Sequence, residues 1–449
     1  MSKNNRKITR KPASKIRYQH TGKKLTSQAG VIPAMRFLDH IGFDQACRKH
    51  LDLQRADNAR YSLGDSIYLT VIGMIAGATS LMKVVSVWAD QVLREVGGWL
   101  SIPDDSTLGR IFRLGQMQHV AQLEQVNHAL RQSVWQRALK SGAWLPGTLY
   151  RSWIDVDSTV KTVYGRQEGA EKGYNPTKKG AYSYHPLVAF CSHTKEILQA
   201  WLRSGSTYTS NGIVGFMQQL ATQMPSRMRL LFRGDSGFFV GELMDWLDQN
   251  GHGYLIKVKL KGLTALLDKQ MWQRAPDHSG WEQCEFFHQC NQWERPRCFV
   301  AVRRKAAVMN GDSQQSLLNE PVYDYFCYVT TERLTPWQAH TTYGQRATCE
   351  TWLDEAKNQM GLAHIKSHDF MASSLLFQCA VLAYNTVRWM ALLSGSDTLK
   401  RWEIQTIRTF LVRTAGQLLR GGNQLKVKVP DNHLHPEPWS DWLKLSFIT

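Results

Sequence analysis

The sequence predicts a mixed α/β protein with a helical N-terminal region. Between residues 26 and 141, apolar side chains recur at spacings of three and four, which is the period of amphipathic helices. From Thr148 onward, runs rich in Val, Ile, Trp and Thr indicate strands, and these alternate with helical segments. Such alternation is typical of a sheet covered by helices.

The expected elements follow these patterns in chain order. N-terminal helices are expected over residues 63–82, 84–96, 106–114 and 120–139. Strands are expected over 148–163, 186–203, 227–232, 253–258 and 323–330. The later helices are expected over 211–223, 240–250, 336–360, 371–393 and 402–419, with an irregular polar stretch over 261–318.

Composition favours a polyanion-binding protein of the cytosol. The 449 residues are 43% hydrophobic and carry a net charge of +18, which makes a polyanion the expected partner. The alternative is a basic protein that binds no polyanion. The eight cysteines form no C-x-x-C pair, which favours a reducing compartment. The best apolar stretch, Ile67 to Ala78, is too short for a membrane span, and no apolar segment follows the basic N-terminus.

Two N-terminal features suit DNA. Residues 1–25 are strongly basic and lack acidic side chains, so we expect a disordered DNA-binding arm, with a solubilising tail as the alternative. A capped helix is expected to start near Asp104 and carries Ser, Thr and Arg in its first turns. It suits a helix-turn-helix reader, and an ordinary bundle helix is the alternative.

Acidic residues stand at the ends of two expected strands. Asp155 and Asp157 alternate along the first strand and therefore share one face. Carboxylates within an apolar strand are costly unless they bind a cation, and a metal ion is the usual answer. Asp235 follows the apolar run at 230–232, at a strand end where α/β sheets place ligands. The alternative for Asp155 and Asp157 is an exposed edge strand with its acids in water, and the alternative for Asp235 is an ordinary turn aspartate.

A third acidic residue lies on an expected helix. At about 100° per residue, Tyr343, Arg346, Glu350 and Lys357 fall within one narrow arc. The cationic side chains of this arc could bind phosphates, and its carboxylate could bind a metal ion. Asp354 lies close to the same arc and rivals Glu350 on geometry alone. A solvated face with ion pairs is the alternative.

These residues resemble the DDE transposases of bacterial insertion sequences, in the branch that moves by cut-and-paste. Tyr343, Arg346, Glu350 and Lys357 match that family's Y-x-x-R-x-x-x-E-x-x-x-x-x-x-K signature. Asp157 stands in the expected D-S-T context, and Asp235 stands in R-G-D-S-G. The segments at 165–170 and 173–186 resemble one insertion-sequence subgroup, and the likeness spans about residues 144–393.

The resemblance implies both a site and a domain plan. It selects Asp157 over Asp155 and Glu350 over Asp354 as catalytic, metal-binding residues. It implies an RNase H-like core interrupted by a mainly β insertion, with an N-terminal helical DNA-binding region and C-terminal helices. The expected divisions are a basic disordered arm (1–25), a helical DNA-binding domain (26–143), the first part of the core (144–260), the insertion (261–320), the second part of the core (321–395) and a C-terminal helical region (396–449).

The implied chemistry is two-metal phosphoryl transfer. Two Mg²⁺ ions, with Mn²⁺ as a substitute, are expected on Asp157, Asp235 and Glu350. Phosphate contacts are expected from Tyr343, Arg346 and Lys357, and further contacts to the cut strand from a second set: Lys178, Lys179 and His185. Candidate base-stacking residues in the insertion are Trp272, Trp281 and Trp293, with packing as the alternative.

The implied partners are double-stranded DNA and a second copy of the chain. The DNA comprises the terminal inverted repeats of the element and the target, and the protein is expected as a homodimer on DNA in the bacterial cytoplasm. Two other functions remain open, a nuclease on the same scaffold and a non-catalytic regulator. A zinc site at Cys284, His288 and Cys290 is also open, although its spacing matches no standard pattern.

Overall fold

A mixed sheet with helices on both faces forms the centre of the protein. The computed structural model describes residues 22–176, 178–306, 322–364, 367–422 and 424–445, so the basic arm expected over 1–25 lies almost wholly outside the described residues. Within them, the central sheet has nine strands. The mixed α/β class predicted from the sequence is confirmed.

The N-terminal region is helical, as expected. A short strand β1 (Leu25–Thr26) and a 3₁₀ turn (Ala29–Val31) precede the helices α1 (Ile32–His40), α2 (Phe43–His50), α3 (Leu63–Ala76), α4 (Leu81–Trp88), α5 (Gln91–Val96), α6 (Asp105–Arg113) and α7 (Met117–Ser141). The helix expected over 63–82 ends early because Gly77 adopts a φ of +107°, which stops it. Helix α6 starts as predicted, since the Asp104 side chain accepts a hydrogen bond of 2.6 Å from the Thr107 N–H.

The middle of the chain supplies most of the sheet. A short helix α8 (Pro146–Leu149) leads into the strands β2 (Arg151–Ser158), β3 (Lys161–Thr162), β4 (Glu171–Lys172), β5 (Tyr182–Tyr184), β6 (Leu187–Cys191), β7 (Ile197–Trp201), β8 (Arg229–Gly234), β9 (Gly253–Lys257), β10 (Gln273–Arg274), β11 (Trp281–His288), β12 (Arg297–Lys305) and β13 (Tyr323–Thr330). The helices between them are α9 (Ile213–Thr222), α10 (Gly241–Gln249) and α11 (Leu263–Asp268), with a 3₁₀ turn at Ser236–Phe238.

The strand order brings the ends of distant segments together. Across the described sheet the order is β10-β11-β12-β13-β9-β8-β2-β6-β7. Strand β8 runs parallel to both β2 and β9, and Asp155 lies opposite Arg233. The carboxyl ends of these parallel strands therefore meet at one edge of the sheet. A separate small sheet, in the order β3-β5-β4, is built from the chain between β2 and β6.

Strands of the expected insertion continue the central sheet. β11 and β12 form a long antiparallel pair, and β12 then pairs with β13, which pairs with β9. The expectation of an irregular stretch over 261–318 is therefore wrong for its described part. The apolar pattern does not predict strand β11, because polar and charged residues, such as the half-buried Glu282 and the exposed Glu285, interrupt its alternation.

The last helices pack over the sheet and against the N-terminal region. They are α12 (Pro336–Gly344), α13 (Ala347–Asp354), a π segment (Glu355–Gln359), α14 (Phe370–Leu393), α15 (Asp397–Arg401) and α16 (Ile404–Ile407), followed by a second π segment (Arg408–Val412). One core joins α14 to the helices α1–α7 and to one face of β6 and β7. A second core joins α9 and α10 to the opposite face of the sheet.

Helix α14 meets the length and composition of a membrane span. It has 24 residues, and an 18-residue window within it has a mean hydropathy of 1.4. The expectation that Ile67 to Ala78 is the best apolar stretch, and that no segment has the length and composition of a membrane span, is therefore wrong. Within the described residues, the bent pair α3 and α4 passes the same test jointly. However, 89% of the α14 window is buried inside the protein, which is typical of a core helix.

The C-terminal region is not wholly helical. The helix expected over 402–419 ends in the second π segment, and strands β14 (Gly416–Gly421) and β15 (Gln424–Lys428) precede α17 (Pro436–Lys444). Strand β14 pairs with both β15 and β1, forming a three-stranded sheet. The helical expectation failed there because the partner strand β1 lies at the other end of the sequence.

Candidate active site

Two aspartates meet at the carboxyl edge of the central sheet. Asp157 lies near the end of β2, and Asp235 directly follows the neighbouring parallel strand β8. Each lies two residues beyond the paired Asp155 and Arg233. Backbone N–H groups of the following turns orient both carboxylates: Ser158 donates to Asp157 at 2.8 Å, and Gly237 donates to Asp235 at 2.9 Å. The parallel pairing of β2 and β8 thus brings these two carboxylates to the same edge of the sheet.

Asp155 already has a cationic partner. Its oxygens accept hydrogen bonds from Arg233 Nε at 2.5 Å and Nη2 at 2.8 Å. Both side chains are buried, with exposed fractions of 0% and 1%. Sequence reasoning assigned a metal ion as the cation for this strand, but for Asp155 the cation is a guanidinium. This pair explains why one acid of the strand is structural while the other faces the site.

The helix that carries the remaining site residues is interrupted. A single helix was expected over 336–360, whereas α12 and α13 are separated by a tight turn at Gln345 and Arg346. The Arg346 N–H donates to the Tyr343 carbonyl, which is a 3₁₀ contact. Helix α13 then buries Cys349, Trp352 and Leu353, and its opposite face presents Glu350 to solvent.

Arg346 connects the sheet edge to this helix. Its Nη2 lies 3.1 Å from Asp157 Oδ1, and its Nη1 lies 3.5 Å from Glu350 Oε1. The Arg346 side chain is only 7% exposed, whereas that of Glu350 is 68% exposed. Among the described residues, Nε of Arg346 has no hydrogen-bond acceptor, and Nη2 contacts Asp157 as an ion pair without hydrogen-bond geometry. A buried guanidinium with unsatisfied donors is suited to a ligand that brings anionic oxygens.

The electrostatics of the site reflect crowded anionic groups. Burial raises the pKa of Asp157 to about 6; Arg346 opposes this shift, while Asp235 and Glu350 add to it. Burial also raises the pKa of Tyr343 to about 12. The ring of Tyr343 packs against Tyr328 with centroids 4.7 Å apart. Tyr343 therefore lies beside the acids with its hydroxyl kept neutral.

Lys357 lies in the π segment that follows α13. A π segment has more residues per turn than an α-helix, so the ideal-helix arc that grouped Lys357 with Glu350 does not hold there. Lys357 nevertheless remains near the site, since Asp157 acts on its charge. Burial lowers the pKa of Lys357, and Asp354 and Asp157 oppose that shift.

The second set of predicted DNA contacts consists of Lys178, Lys179 and His185. Lys178 and Lys179 are exposed between β4 and β5, and Lys178 Nζ donates to the Tyr164 hydroxyl at 2.8 Å. Among the described residues, neither lysine forms an ion pair with the three acids. His185 is buried, and its Nδ1 lies 2.5 Å from the Thr207 carbonyl oxygen. These roles stay predictions, and the burial of His185 favours an indirect one.

The three tryptophans of the expected insertion differ in environment. Trp293 is 8% exposed and packs against Phe239 and Phe299. Trp272 donates its Nε1–H to the Leu267 carbonyl at 3.0 Å. Trp281 is half-buried beside Trp337 and His340 of α12. Packing accounts for Trp293, while base stacking by any of the three remains untested.

A divalent ion fits the chemistry of the three acids. In the described parts of the chain, no group of three or more His, Cys, Asp or Glu is arranged to hold a metal. Cys284, His288 and Cys290, considered above as a zinc site, therefore do not form one in this structure. At the sheet edge, however, carboxylates converge on a buried cation, the Arg346 guanidinium. Oxygen ligands of this kind suit Mg²⁺ or Mn²⁺.

Sequence reasoning missed a loop that touches both aspartate turns. The Thr209 hydroxyl lies 3.1 Å from that of Ser158, next to Asp157. A Cβ added to Gly237, in the Asp235 turn, would lie 3.1 Å from the Thr209 methyl group. The surrounding sequence is rich in Ser, Thr and Gly, which predicts a loop and gives no sign of its contacts.

Comparison with known proteins identifies the family. Residues 8–445 match the family described as Transposase DDE domain group 1. A search of the curated proteins gave no match. Among solved structures, the chain is similar to the cryo-EM structure of the piggyBac transposase synaptic complex with hairpin DNA. That similarity has a TM-score of 0.43 and 13% sequence identity, over 85% of this chain and 79% of that chain. Because the family match spans nearly the whole sequence, the chain belongs to the group 1 DDE transposases, enzymes that cut and join DNA and depend on divalent metal ions.

Proposed function

We propose that the protein is a bacterial insertion-sequence transposase that binds the ends of its element and moves them by cut-and-paste. Asp157, Asp235 and Glu350 are its catalytic acids. The observation that carries this assignment is the buried guanidinium of Arg346, which contacts Asp157 and Glu350 at the edge where Asp235 also lies. Such an arrangement brings together acids that are far apart in the sequence, as metal-dependent phosphoryl transfer requires.

The three acids would hold two Mg²⁺ ions, with Mn²⁺ as a substitute. When bound, such ions supply an activated water or 3′-hydroxyl and stabilise the leaving oxygen. Asp157 must be ionised to serve as a ligand, and its pKa of about 6 allows this at neutral pH. Glu350 is exposed and free to adjust its rotamer, so it completes the ligand set from the helix side.

The cations beside the acids bind the DNA backbone. Arg346 has no acceptor for its Nε and contacts Asp157 through Nη2 only as an ion pair, so the guanidinium can bind a phosphate when it leaves Asp157. Lys357 adds a positive charge within reach of the same carboxylate. The Tyr343 hydroxyl, kept neutral by its raised pKa, can donate to a phosphate oxygen. The exposed Lys178 and Lys179 bind further phosphates of the cut strand. The buried His185 acts indirectly, by supporting the protein surface that contacts this strand.

The DNA partner is double-stranded and comprises the terminal inverted repeats and a target site. The net charge of +18 supports a polyanionic partner, because each neutralised phosphate releases a counterion. Helix α6 exposes Arg110 and Arg113 and suits a reader of the element ends. Joining two ends to one target requires two active sites, so we propose a homodimer on DNA.

Cleavage by a Glu350→Gln variant tests the assignment. The substrate is DNA carrying the sequences that flank the gene of this protein, with Mg²⁺ supplied. We expect the variant to bind this DNA like the wild type and to lose at least about 100-fold in cleavage rate, because a metal ligand is removed. Asp354→Asn is the matched control on the same helix, since Asp354 is exposed and hydrogen-bonded to Asn358.

The outcomes separate the competing functions. Normal cleavage by Glu350→Gln, or loss of cleavage only in Asp354→Asn, would overturn the choice of the third acid. A nuclease on the same scaffold would cut the ends but give no joined products with a target plasmid. A non-catalytic regulator would bind the DNA and show no metal-dependent cutting in the wild type.

A further inference from the structure

The loop between β7 and α9 lies directly against the two catalytic aspartate turns. Its Thr209 contacts Ser158, the residue after Asp157, at 3.1 Å between hydroxyl oxygens. The same residue lies beside Gly237, whose N–H donates to Asp235. Anything exposed on this loop next to Thr209 therefore lies at the rim of the proposed active site.

A buried arginine holds this loop in place. Arg203 is 9% exposed, and its Nη1 donates to the carbonyls of Tyr208 at 3.4 Å, Thr209 at 3.3 Å and Asn211 at 2.7 Å. Its Nε donates to the His185 carbonyl at 3.0 Å. His185 in turn contacts the Thr207 carbonyl through Nδ1. Two buried side chains thus contact five backbone carbonyls, four of them in this loop and the fifth that of His185, so the loop is held in place by the protein itself.

At the centre of this fixed loop, Tyr208 exposes its ring. The residue is 76% exposed, although its backbone carbonyl is tied to Arg203. The chain before it packs closely on β4, because a Cβ on Gly173 would overlap the Gly205 carbonyl oxygen. Tyr174, which follows Gly173, is 75% exposed, and the exposed Lys178 and Lys179 come next along the chain. An exposed aromatic ring therefore lies on a loop that contacts both aspartate turns and packs against the segment leading to two exposed lysines.

We propose that Tyr208 stacks on an unpaired nucleobase of the DNA strand at the cleavage point. A large aromatic face on a loop that is already ordered loses little entropy on binding, and every base offers a complementary face. In an intact duplex the base faces are covered by their neighbours, so the contact is available where the strands separate. The inference rests on the proposed function, because it places the DNA over Asp157 and Asp235.

Fluorescence of 2-aminopurine tests this contact directly. The probe is a forked DNA with 2-aminopurine at the first unpaired position, compared with a fully paired duplex of the same sequence, both in EDTA. Wild-type protein should quench the forked probe. Tyr208→Ala should lose the quench and bind the fork about 5- to 10-fold more weakly, with duplex binding unchanged, because base–aromatic stacking has this magnitude. Tyr208→Phe should retain both properties.

A matched control removes an exposed tyrosine from the opposite end of the sheet. Tyr150 is 42% exposed and directly precedes β2, whereas Asp157 lies near the other end of that strand. Tyr150→Ala should quench and bind like the wild type. Full quenching by Tyr208→Ala, or an equal loss of affinity for fork and duplex, would overturn the proposal. Neither readout uses cleavage, so failure of the Glu350→Gln test would count against the proposed function alone.

Discussion

Arg346 Nη2 lies 3.1 Å from Oδ1 of Asp157, and both side chains are largely buried. The pair places a protein cation beside the carboxylate that the proposed mechanism assigns to a metal ion. Arg346 also reaches Glu350, so two of the three acids share this one guanidinium. We infer that metal binding at Asp157 and the Arg346 contact compete, and that metal binding releases Arg346 towards the DNA.

Replacement of Arg346 should therefore make the protein more dependent on metal for stability. In Arg346→Met, Asp157 keeps its neighbour Asp235 but loses its counter-charge. We expect the free energy of unfolding in EDTA to fall by about 2 kcal/mol, since an unpaired buried charge costs this much or more. Excess Mg²⁺ should restore more stability to the variant than to the wild type. Urea unfolding with and without Mg²⁺ measures both effects.

An exposed arginine pair provides the comparison for this experiment. Arg304 pairs with Asp324 at 3.3 Å, and the two side chains are 52% and 46% exposed. Because solvent screens such a pair, Arg304→Met should change the stability by less than about 1 kcal/mol and should not alter the response to Mg²⁺. An Arg346→Met protein as stable as the wild type in EDTA would contradict the competition between arginine and metal.

Metal affinity should depend on pH through Asp157. Burial raises the pKa of Asp157 to about 6, so the carboxyl holds its proton below that pH in the metal-free protein. Because a metal ion binds the ionised form, affinity for Mn²⁺ should rise as the pH increases through about 6 and then level off. Titration calorimetry in two buffers of different ionisation enthalpy should show proton release below this pH and little above it.

The same shift has a consequence for stability in the absence of metal. The folded protein holds the Asp157 proton more tightly than the unfolded chain, whose value is 3.8. The stability that the folded protein gains from holding this proton is therefore fully present below the pKa of the unfolded chain, and it is lost as the pH rises through about 6. Asp157→Asn should lack this loss. A wild-type profile of Mn²⁺ affinity that is flat across this range would contradict the assignment.

The sequence predicts those elements of the fold whose own residues determine their conformation. Strand β13 was placed over residues 323–330, as observed, and α14 was placed within one residue of its start. Each is strongly apolar and bounded by polar residues. By contrast, β14 has an apolar pattern that suits a helix, and it becomes a strand by pairing with β1 and β15. Such long-range pairing leaves no mark in the local pattern.

The site could be predicted only in part for the same reason. Alternation placed Asp155 and Asp157 on one face but could not distinguish them, because the deciding partner of Asp155 is Arg233 on another strand. Helical spacing likewise left Glu350 and Asp354 as rivals. The contact of Arg346 with Glu350 supports the proposed choice of Glu350, whereas Asp354 accepts a hydrogen bond from Asn358. The sequence does not predict a role for the loop with Arg203 and Tyr208, because that role depends on tertiary contacts with the turns that follow β2 and β8.

Substitution by asparagine should lower the free energy of unfolding at Asp155 but not at Asp235. Asp155→Asn leaves the Arg233 guanidinium buried without a counter-charge, so we expect a loss of about 3 kcal/mol in the free energy of unfolding. Asp235→Asn removes one of several crowded acids that lack a metal and should leave the stability unchanged or slightly higher. Metal-dependent cleavage should be lost in Asp235→Asn, and a cleaving Asp235→Asn protein would remove it from the catalytic set.

Lys357 provides a test of phosphate contact that is independent of metal binding. In Lys357→Ala, DNA affinity should fall, and the slope of log affinity against log salt should decrease in magnitude by about 1, because one counterion fewer is released. Affinity for Mn²⁺ measured without DNA should stay within about 2-fold of the wild type, since an ammonium group is not a metal ligand.

A lysine far from the site distinguishes a specific contact from a general loss of charge. Lys444 is 72% exposed and pairs with Asp441 in α17, so Lys444→Ala removes the same charge from the C-terminal helix. We expect its salt slope to match that of the wild type. If both variants lowered the slope equally, the effect would come from net charge alone. If Lys357→Ala instead weakened Mn²⁺ binding, Lys357 would orient the acids and would not hold DNA, because its charge lies within reach of Asp157 and Asp354.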